Sequence, residues 1–168
     1  MQNKTRFLTR AAMIAALYAV LTHLQNILVP ESTSFAIQCR VSEALCVLAF
    51  FTPAAIPGLT IGCLLFNITF AAALPLDWIV GSLATLAATA VMWYTRRVTV
   101  KGYPLLGMLM PAIANAILVG WELTVYIGGG FALNALYVAL GELIVLFTFG
   151  SLLYYAVKAR HLDAKLLG

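Results

Sequence analysis

Charged residues are scarce in this chain of 168 residues: Lys, Arg, Asp and Glu make up 10% of it, against 63% for hydrophobic residues. A soluble domain carries about 25% charged residues. With a mean hydropathy of +0.99, the chain has too little polar surface to face water on all sides. We therefore interpret it as an integral membrane protein, whose backbone groups must be satisfied within helices or a closed barrel.

Signatures of several other protein classes are also missing. There is no G-x-x-x-x-G-K-[ST], so ATP hydrolysis at such a site is excluded, and no H-E-x-x-H or G-x-S-x-G, so common hydrolase sites are excluded too. The three cysteines, Cys39, Cys46 and Cys63, form no C-x-x-C pair and predict neither a disulfide framework nor a metal site. The apolar runs lack barrel-type alternation, so helices are favoured. We expect a protein that is not an enzyme and that binds no cofactor itself.

Prolines, glycines and polar loops divide the chain into six predicted transmembrane helices within a single domain, residues 1–168. The predicted helices cover about 7–29, 41–51, the stretch from the turn at Pro53 and Pro57 to 73, then 76–94, 105–127 and 131–157. Pro30, Pro75 and the run 128–130 of glycines mark breaks between them. The fold class is thus an all-α membrane bundle without an inverted repeat, which argues against a self-sufficient secondary transporter.

The basic residues indicate how this bundle is oriented. Nine of the ten Lys and Arg residues form three clusters. The clusters are Lys4, Arg6 and Arg10; Arg96, Arg97 and Lys101; and Lys158, Arg160 and Lys165. With six spans and a cytoplasmic N-terminus, all three clusters and the C-terminus lie in the cytoplasm, as the positive-inside rule requires. Arg40 then lies apart from them, at the external mouth of the bundle.

Four of the six acids lie in predicted spans or at their ends: Glu43, Asp77, Glu122 and Glu142. An unpaired charge in lipid costs roughly 2.5–3.5 kcal/mol, so we expect these groups to face each other or a polar cavity that opens outward. Carboxylates, amides and aromatic rings together suit a flat, nitrogen-rich heterocycle. The candidate binding residues are Gln38, Arg40, Glu43, Asn67, Asn115, Glu122, Tyr126, Asn134, Tyr137 and Glu142.

Some of these residues also have purely structural interpretations. Asn115 and Asn134 are equally well explained as hydrogen-bonding contacts between helices. Asp77 is favoured as an acid that stabilises a helix start. Glu43 is equally well explained as a partner of Arg40 one turn away. His23, which is not among the candidates, is interpreted as a packed or cavity-lining histidine rather than a metal ligand.

Small residues mark places where helices approach closely. The first predicted helix carries a set of alanines at small-xxx-small spacing: Ala11, Ala12, Ala15, Ala16 and Ala19. Gly58 and Gly62 form a G-x-x-x-G in the third. Packing within the chain is the default explanation, and the alanine set additionally indicates a partner subunit.

Two stretches resemble the QueT family: Arg40-Val41-Ser42-Glu43-Ala44 and the run 134–142, Asn-Ala-Leu-Tyr-Val-Ala-Leu-Gly-Glu. Similarity extends to 50–59 and 81–86. The resemblance implies a substrate-binding (S) component of an energy-coupling factor (ECF) transporter in a bacterial plasma membrane. It implies a queuosine precursor, a 7-deazaguanine base, as cargo. It also implies a transmembrane coupling subunit, contacted by the alanine set, and two ABC ATPases that use the ATP, with toppling of the S component in the membrane.

The candidate residues agree with such a cargo. A guanine-like edge offers adjacent N–H and NH₂ donors to one carboxylate, for which we favour Glu142 or Glu122. Asn134, Asn115 or Arg40 would donate to the ring carbonyl, and Glu43 would meet an aminomethyl cation. The alternatives are an S component for another heterocycle such as a pterin, flavin or pyrimidine, a standalone proton-coupled carrier, and a structural membrane subunit.

Overall fold

The structure is a computed structural model that describes residues 2–30, 32, 39–70 and 75–160. Across these residues the chain is helical, apart from turns and an isolated β-bridge between Val100 and Tyr103. Its elements are α1 Gln2–Leu28, the 3₁₀ helix η1 Val41–Phe50, α2 Ala55–Thr69, α3 Asp77–Thr95, α4 Leu105–Tyr126, α5 Phe131–Val145 and α6 Ser151–Ala159. The π-helical turn Leu146–Gly150 joins α5 and α6 into one continuous run. The predicted all-helical class is confirmed.

Within the described residues, four helical runs are long and apolar enough to cross a membrane. These are Lys4–Leu28, Asp77–Thr95, Leu105–Tyr126 and Phe131–Ala159. The other two helices, η1 and α2, have 10 and 15 residues. An α-helix of that length reaches only about 22 Å, less than the roughly 30 Å of a bilayer core. Six helical stretches follow one another as predicted, but two of them are shorter than ordinary spans.

The second predicted helix differs from the prediction in its geometry, because it is a 3₁₀ helix rather than an α-helix. Runs of this type rarely exceed a few residues. The 3₁₀ form is narrower, and it rises about 2.0 Å per residue, so ten residues reach about 20 Å. Small residues such as Ser42, Ala44 and Ala49 let η1 fit among its neighbours, and nearly all of its side chains are buried. The following helix begins at Ala55, before Pro57, because a missing N–H is tolerated in a first helical turn.

The central position of η1 is reinforced by glycines in the helices around it. A Cβ on Gly107 of α4 would meet the Phe50 ring, with Cζ at 2.7 Å. A Cβ on Gly150 would lie 3.3 Å from a methyl group of Val47. Glycine at these two positions therefore lets the neighbouring helices approach η1 closely, and η1 forms part of the main hydrophobic core.

Helices α1 and α2 pack through the small residues that the sequence singled out. A Cβ on Gly58 would lie 2.8 Å from the carbonyl oxygen of Ala11, and one on Gly62 would lie 2.8 Å from that of Ala15. Ala11 and Ala15 are themselves buried. The G-x-x-x-G of α2 thus receives the backbone of α1 within the same chain.

The two ends of η1 have opposite electrostatic surroundings. Arg40 and Glu43 lie at its start, close to Asp77 at the beginning of α3. Phe50 and Phe51 lie at its end, where they share a cavity with basic residues of the α3–α4 connection and of α6. The bundle therefore has an acidic end, near Arg40, and a basic end, near Phe51.

We predict that Gly62→Ala lowers the free energy of unfolding by about 1–3 kcal/mol, because the new methyl group would overlap the α1 backbone. Thermal unfolding of the purified protein in detergent measures the effect. Gly130→Ala is the matched control, since a Cβ there has no atom within 4 Å among the described residues. Equal melting temperatures for the two variants would contradict this account of α1–α2 packing.

Candidate functional site

A polar stripe on α1 holds the start of η1 in place. Tyr18, Thr22 and Gln25 are spaced four and three residues apart, so they lie on one face of α1. Thr22 donates a hydrogen bond of 2.7 Å to the Ser42 hydroxyl, and Tyr18 donates one to Oε1 of Glu43. Both Tyr18 and Thr22 are fully buried. The stripe thereby fixes the first turn of η1 against α1.

Gln25 extends this attachment to both sides of Arg40. Its amide nitrogen donates to the carbonyl oxygen of Cys39 at 2.5 Å, and its Oε1 accepts from the backbone N–H of Val41 at 2.8 Å. One side chain therefore binds the peptide groups immediately before and after Arg40. This arrangement positions the arginine at the N-terminus of η1, where its backbone is extended.

Arg40 is turned into the bundle, and its side chain is only 8% exposed. Its guanidinium carbon lies 5.6 Å from the centroid of the Phe66 ring. Tyr18, Asp77 and Glu43 lie close enough to interact with this guanidinium electrostatically. A guanidinium stays protonated in proteins. Arg40 is thus a permanent buried cation.

Four acids from four different elements surround this cation. Glu43 belongs to η1, Asp77 to α3, Glu122 to α4 and Glu142 to α5, and all are buried. Glu122 interacts electrostatically with Asp77 and Arg40. Glu142 interacts with Glu43 and Arg40. The acids of the sequence prediction therefore converge on a shared region around Arg40.

The four acids differ in how far the protein itself satisfies them. Glu43 accepts from Tyr18 at Oε1 and from the thiol of Cys46 at Oε2. Glu142 accepts from Nδ2 of Asn115 at 2.8 Å through Oε1, whereas its buried Oε2 has no hydrogen-bond partner among the described residues. Glu122 is fully buried and lies against the carboxyl group of Asp77, and neither of its carboxyl oxygens has any other partner within the same part of the chain. Buried polar atoms are normally hydrogen-bonded, so these open acceptors mark a place for outside donors.

Further open polar atoms lie beside Asp77. Asn67 is completely buried and donates to the backbone carbonyl oxygen of Asp77 at 2.8 Å, while its Oδ1 has no partner in the described regions. The hydroxyl of Ser82 is also buried and has no hydrogen-bond partner among the described residues. Gly81 leaves room here, because a Cβ on it would lie 3.1 Å from Nδ2 of Asn67. Asn67 therefore joins α2 to the start of α3 and still presents an acceptor.

Other candidates lie elsewhere in the structure. Asn134 donates to Oγ1 of Thr124 and to the carbonyl oxygen of Gly128, each at 3.0 Å, and so closes the α4–α5 turn. Gly128 and the next glycine have positive φ in that turn. Tyr126 is 43% exposed at the end of α4, and Tyr137 is half-buried on α5. Gln38 lies outside the described residues.

The alanine set of α1 divides between two environments. Ala11 and Ala15 contact α2, Ala19 is half-buried, and Ala12 and Ala16 are exposed. A groove of about 390 Å³ runs between the helices there. It is lined by Phe7, Leu8, Ala11, Ala12, Ala15, Ala16, Pro57, Ile61 and Leu65.

Two residues of the site were not part of the sequence prediction, and a third has more than the role favoured for it. Tyr18 and Gln25 were not candidates, although their helical spacing with Thr22 was a visible signal. Asp77 was interpreted mainly as an acid at a helix start; it does begin α3, and it also faces Arg40 and Glu122. His23 packs edge-on against Phe66 and forms a 2.8 Å hydrogen bond with Thr69, in line with a packed histidine.

We predict that Arg40→Gln lowers the free energy of unfolding by about 3–5 kcal/mol, since it leaves buried carboxylates without their cation. Adding Asp77→Asn to this variant restores part of the lost free energy of unfolding, because the Asp77 carboxylate that Arg40→Gln leaves unpaired is then removed. Thermal unfolding in detergent at neutral pH measures both effects. Arg6→Gln, at an exposed position of α1, is the control and shifts stability by less than about 0.5 kcal/mol. Additive losses in the double variant would contradict the proposed coupling.

Comparison with known proteins places this geometry in context. The family model described as QueT transporter matches residues 8–159. A relative from Lactococcus lactis subsp. cremoris (strain MG1363), the Queuosine precursor transporter QueT, is 40% identical over 86 residues, which is 51% of this chain and 48% of the relative. The match thus spans about half the length of that relative, and no solved structure matches the chain significantly. Together with helices suited to spanning a bacterial plasma membrane, these findings confirm the resemblance: the chain belongs to the QueT transporter family.

Proposed function

We propose that this protein is the substrate-binding component of an ECF-type importer and that it captures a queuosine precursor, a 7-deazaguanine base, from outside the cell. The observation that carries the proposal is the pair of buried carboxylates with open oxygens, Glu122 and Glu142, beside the Arg40 cation. The Lactococcus relative, a queuosine precursor transporter by name, supplies the cargo class. As an S component the chain would bind cargo, and partner subunits would hydrolyse ATP.

The carboxyl oxygens of Glu122 and Glu142 and the guanidinium of Arg40 complement the hydrogen-bonding groups of the base. A guanine-like ring presents an N–H and an NH₂ group side by side, which matches the two carboxyl oxygens of Glu122, whose neighbour in the structure is the carboxyl group of Asp77. Oε2 of Glu142 accepts a further donor, and the guanidinium of Arg40 is the donor best placed for the ring carbonyl. A site with such fixed polar groups rejects analogues that leave those groups unpaired.

The charge balance favours one form of the base. Four acids face a single arginine, and Glu43 is already held by Tyr18 and Cys46. A cationic substituent on the cargo would reduce the excess of acid. We therefore propose that an aminomethyl-substituted 7-deazaguanine binds more tightly than its cyano counterpart, with Asp77 meeting the ammonium group in place of Glu43.

The polarity of the bundle supports an outward-facing site. The basic residues Arg96, Arg97 and Lys158 share one cavity at the end opposite to Arg40. The positive-inside rule assigns that end to the cytoplasm and the acidic end to the exterior. We propose cytoplasmic termini and six membrane crossings, in which η1 and α2 are short spans sheltered by the longer helices.

We predict that Glu122→Gln weakens binding of aminomethyl-7-deazaguanine at least tenfold, equivalent to about 1.4 kcal/mol, because one of two acceptors becomes a donor. Isothermal titration calorimetry on the purified protein measures the change, with the cyano form as a second ligand. Asn134→Ala is the control, since Asn134 bonds within the α4–α5 turn, and it retains affinity within about twofold. Unchanged affinity in Glu122→Gln would remove Glu122 from the site, and no binding of either base by the wild type would refute the cargo.

The exposed side of the alanine set is proposed to contact the transmembrane coupling subunit. Ala12 and Ala16 leave an apolar groove of about 390 Å³ beside Ile61, and small residues allow another helix to come close. Two ABC ATPases would complete the transporter.

We predict that Ala16→Trp, which fills this groove, abolishes co-purification with the coupling subunit while ligand affinity stays within about twofold of wild type. Affinity capture of the co-expressed complex provides the readout. Leu24→Trp places the same indole side chain at another exposed position of α1 and serves as the control. Retention of the complex by Ala16→Trp would exclude this groove as the contact surface.

A further inference from the structure

A second polar cavity lies at the basic end of the bundle, away from Arg40. Its volume is about 300 Å³. It is lined by Phe50, Phe51, Arg96, Arg97, Thr99, Tyr154 and Lys158. None of these described lining residues is an acid, and the buried acids Glu43, Asp77, Glu122 and Glu142 surround Arg40 instead. The cavity therefore gathers positive charge without carboxylates in its wall.

The floor of the cavity is aromatic and rigid. Phe50, Phe51 and Tyr154 are each buried, and the rings of Phe50 and Phe51 contact that of Tyr154, with centroids 5.9 and 5.5 Å from it. Nζ of Lys158 lies 4.8 Å from the centroid of the Tyr154 ring. This cation is thus held at the cavity by a ring face, which leaves its ammonium protons available to an anion.

The arginine side of the cavity is held in a similar way. The guanidinium carbon of Arg96 lies 3.6 Å from the centroid of the Trp93 ring, and its Nη1 donates to the carbonyl oxygen of Trp93 at 2.6 Å. Arg97 and Thr99 follow in the connection to α4 and are exposed. A fixed guanidinium, a second one beside it and a hydroxyl group together suit the tetrahedral oxygens of a phosphate.

The connection that carries these arginines is fastened to α6. The Tyr103 and Ser151 hydroxyls form a hydrogen bond of 2.6 Å, and Tyr154 donates to the carbonyl oxygen of Gly102 at 3.4 Å. A tight turn with positive φ at Lys101 and Gly102 closes the Val100–Tyr103 bridge. These hydrogen bonds therefore fix the distance between the arginines and Lys158.

Apolar surface beside the cavity indicates what carries the phosphate. Leu152 and Tyr155 of α6 are 70% and 57% exposed, and they lie one to two turns from Lys158 toward the middle of the long helical run. An acyl chain would lie along this face while its headgroup reached the basic residues. Basic pockets on the cytoplasmic side of membrane helices bind anionic headgroups in this manner.

We propose that this cavity is a binding site for the phosphate group of an anionic phospholipid in the cytoplasmic leaflet. The site is separate from the cargo site and does not depend on which base the protein carries. It does depend on the proposed orientation, because the opposite orientation would expose it to the outer leaflet.

Native mass spectrometry of the purified full chain tests the proposal, with phosphatidylglycerol and phosphatidylcholine as probes. We expect one phosphatidylglycerol to bind at least tenfold more tightly than phosphatidylcholine. Arg97→Gln combined with Lys158→Gln should reduce phosphatidylglycerol binding at least tenfold. Lys4→Gln combined with Arg6→Gln removes the same charge from exposed positions of α1 outside the cavity and should change it less than twofold.

Each other outcome counts against the proposal. Equal losses in the two double variants would show that only general surface charge attracts the lipid. Both lipids carry a phosphate, so equal affinity for them would exclude a site that selects a headgroup with net negative charge. Displacement of phosphatidylglycerol by submillimolar inorganic phosphate would assign the cavity to a soluble anion instead. Melting temperature and cargo affinity, measured on the same samples, separate a failure of this site from misfolding or from a failure of the cargo proposal.

Discussion

The buried guanidinium of Arg40 is the constraint on which the arrangement of the acidic end depends. A charge removed from water costs several kcal/mol unless opposite charges and hydrogen bonds surround it. The fold meets this requirement with carboxyl groups from η1, α3, α4 and α5, which brings four elements together at one point. The polar stripe of α1, from Tyr18 to Gln25, then fixes the backbone on both sides of the arginine. The site is therefore a consequence of how the protein accommodates a single buried cation.

The acids around Arg40 divide between structural and open roles. Glu43 receives hydrogen bonds at both oxygens from Tyr18 and Cys46, so it belongs to the framework. Glu142 accepts one hydrogen bond from Asn115, and Glu122 has no partner other than the Asp77 carboxyl group in the described part of the chain. A preformed polar site needs both kinds of carboxyl group. Those with hydrogen bonds to the protein keep the framework rigid, and those with free oxygens accept a ligand. The basic end differs, because Arg96 and Lys158 lie against aromatic rings and no acid lines the cavity there among the described residues.

Much of the fold followed from the sequence because its signals are local. Polar loops, prolines and the glycine run at 128–130 placed the helix boundaries within a few residues, and the G-x-x-x-G of α2 marked a real helix contact. The 3₁₀ geometry of η1 was missed, since it arises from confinement among the surrounding helices and not from its own residue pattern. The buried charges were predictable as a group because lipid penalises unpaired ions. The hydrogen bonds of the neutral polar residues were not predictable: Asn134 bonds within the α4–α5 turn, and Gln25 bonds to the backbone beside Arg40.

The account rests on the claim that the open carboxylates beside Arg40 receive a planar, nitrogen-rich base. A high-resolution structure of the protein purified with its natural ligand tests this claim most directly. The account predicts density for a fused heterocycle whose donor edge lies about 2.7–3.2 Å from the oxygens of Glu122 and from Oε2 of Glu142. Density for the ligand at any other place, or carboxyl oxygens paired only with protein side chains in the ligand-bound protein, would contradict it.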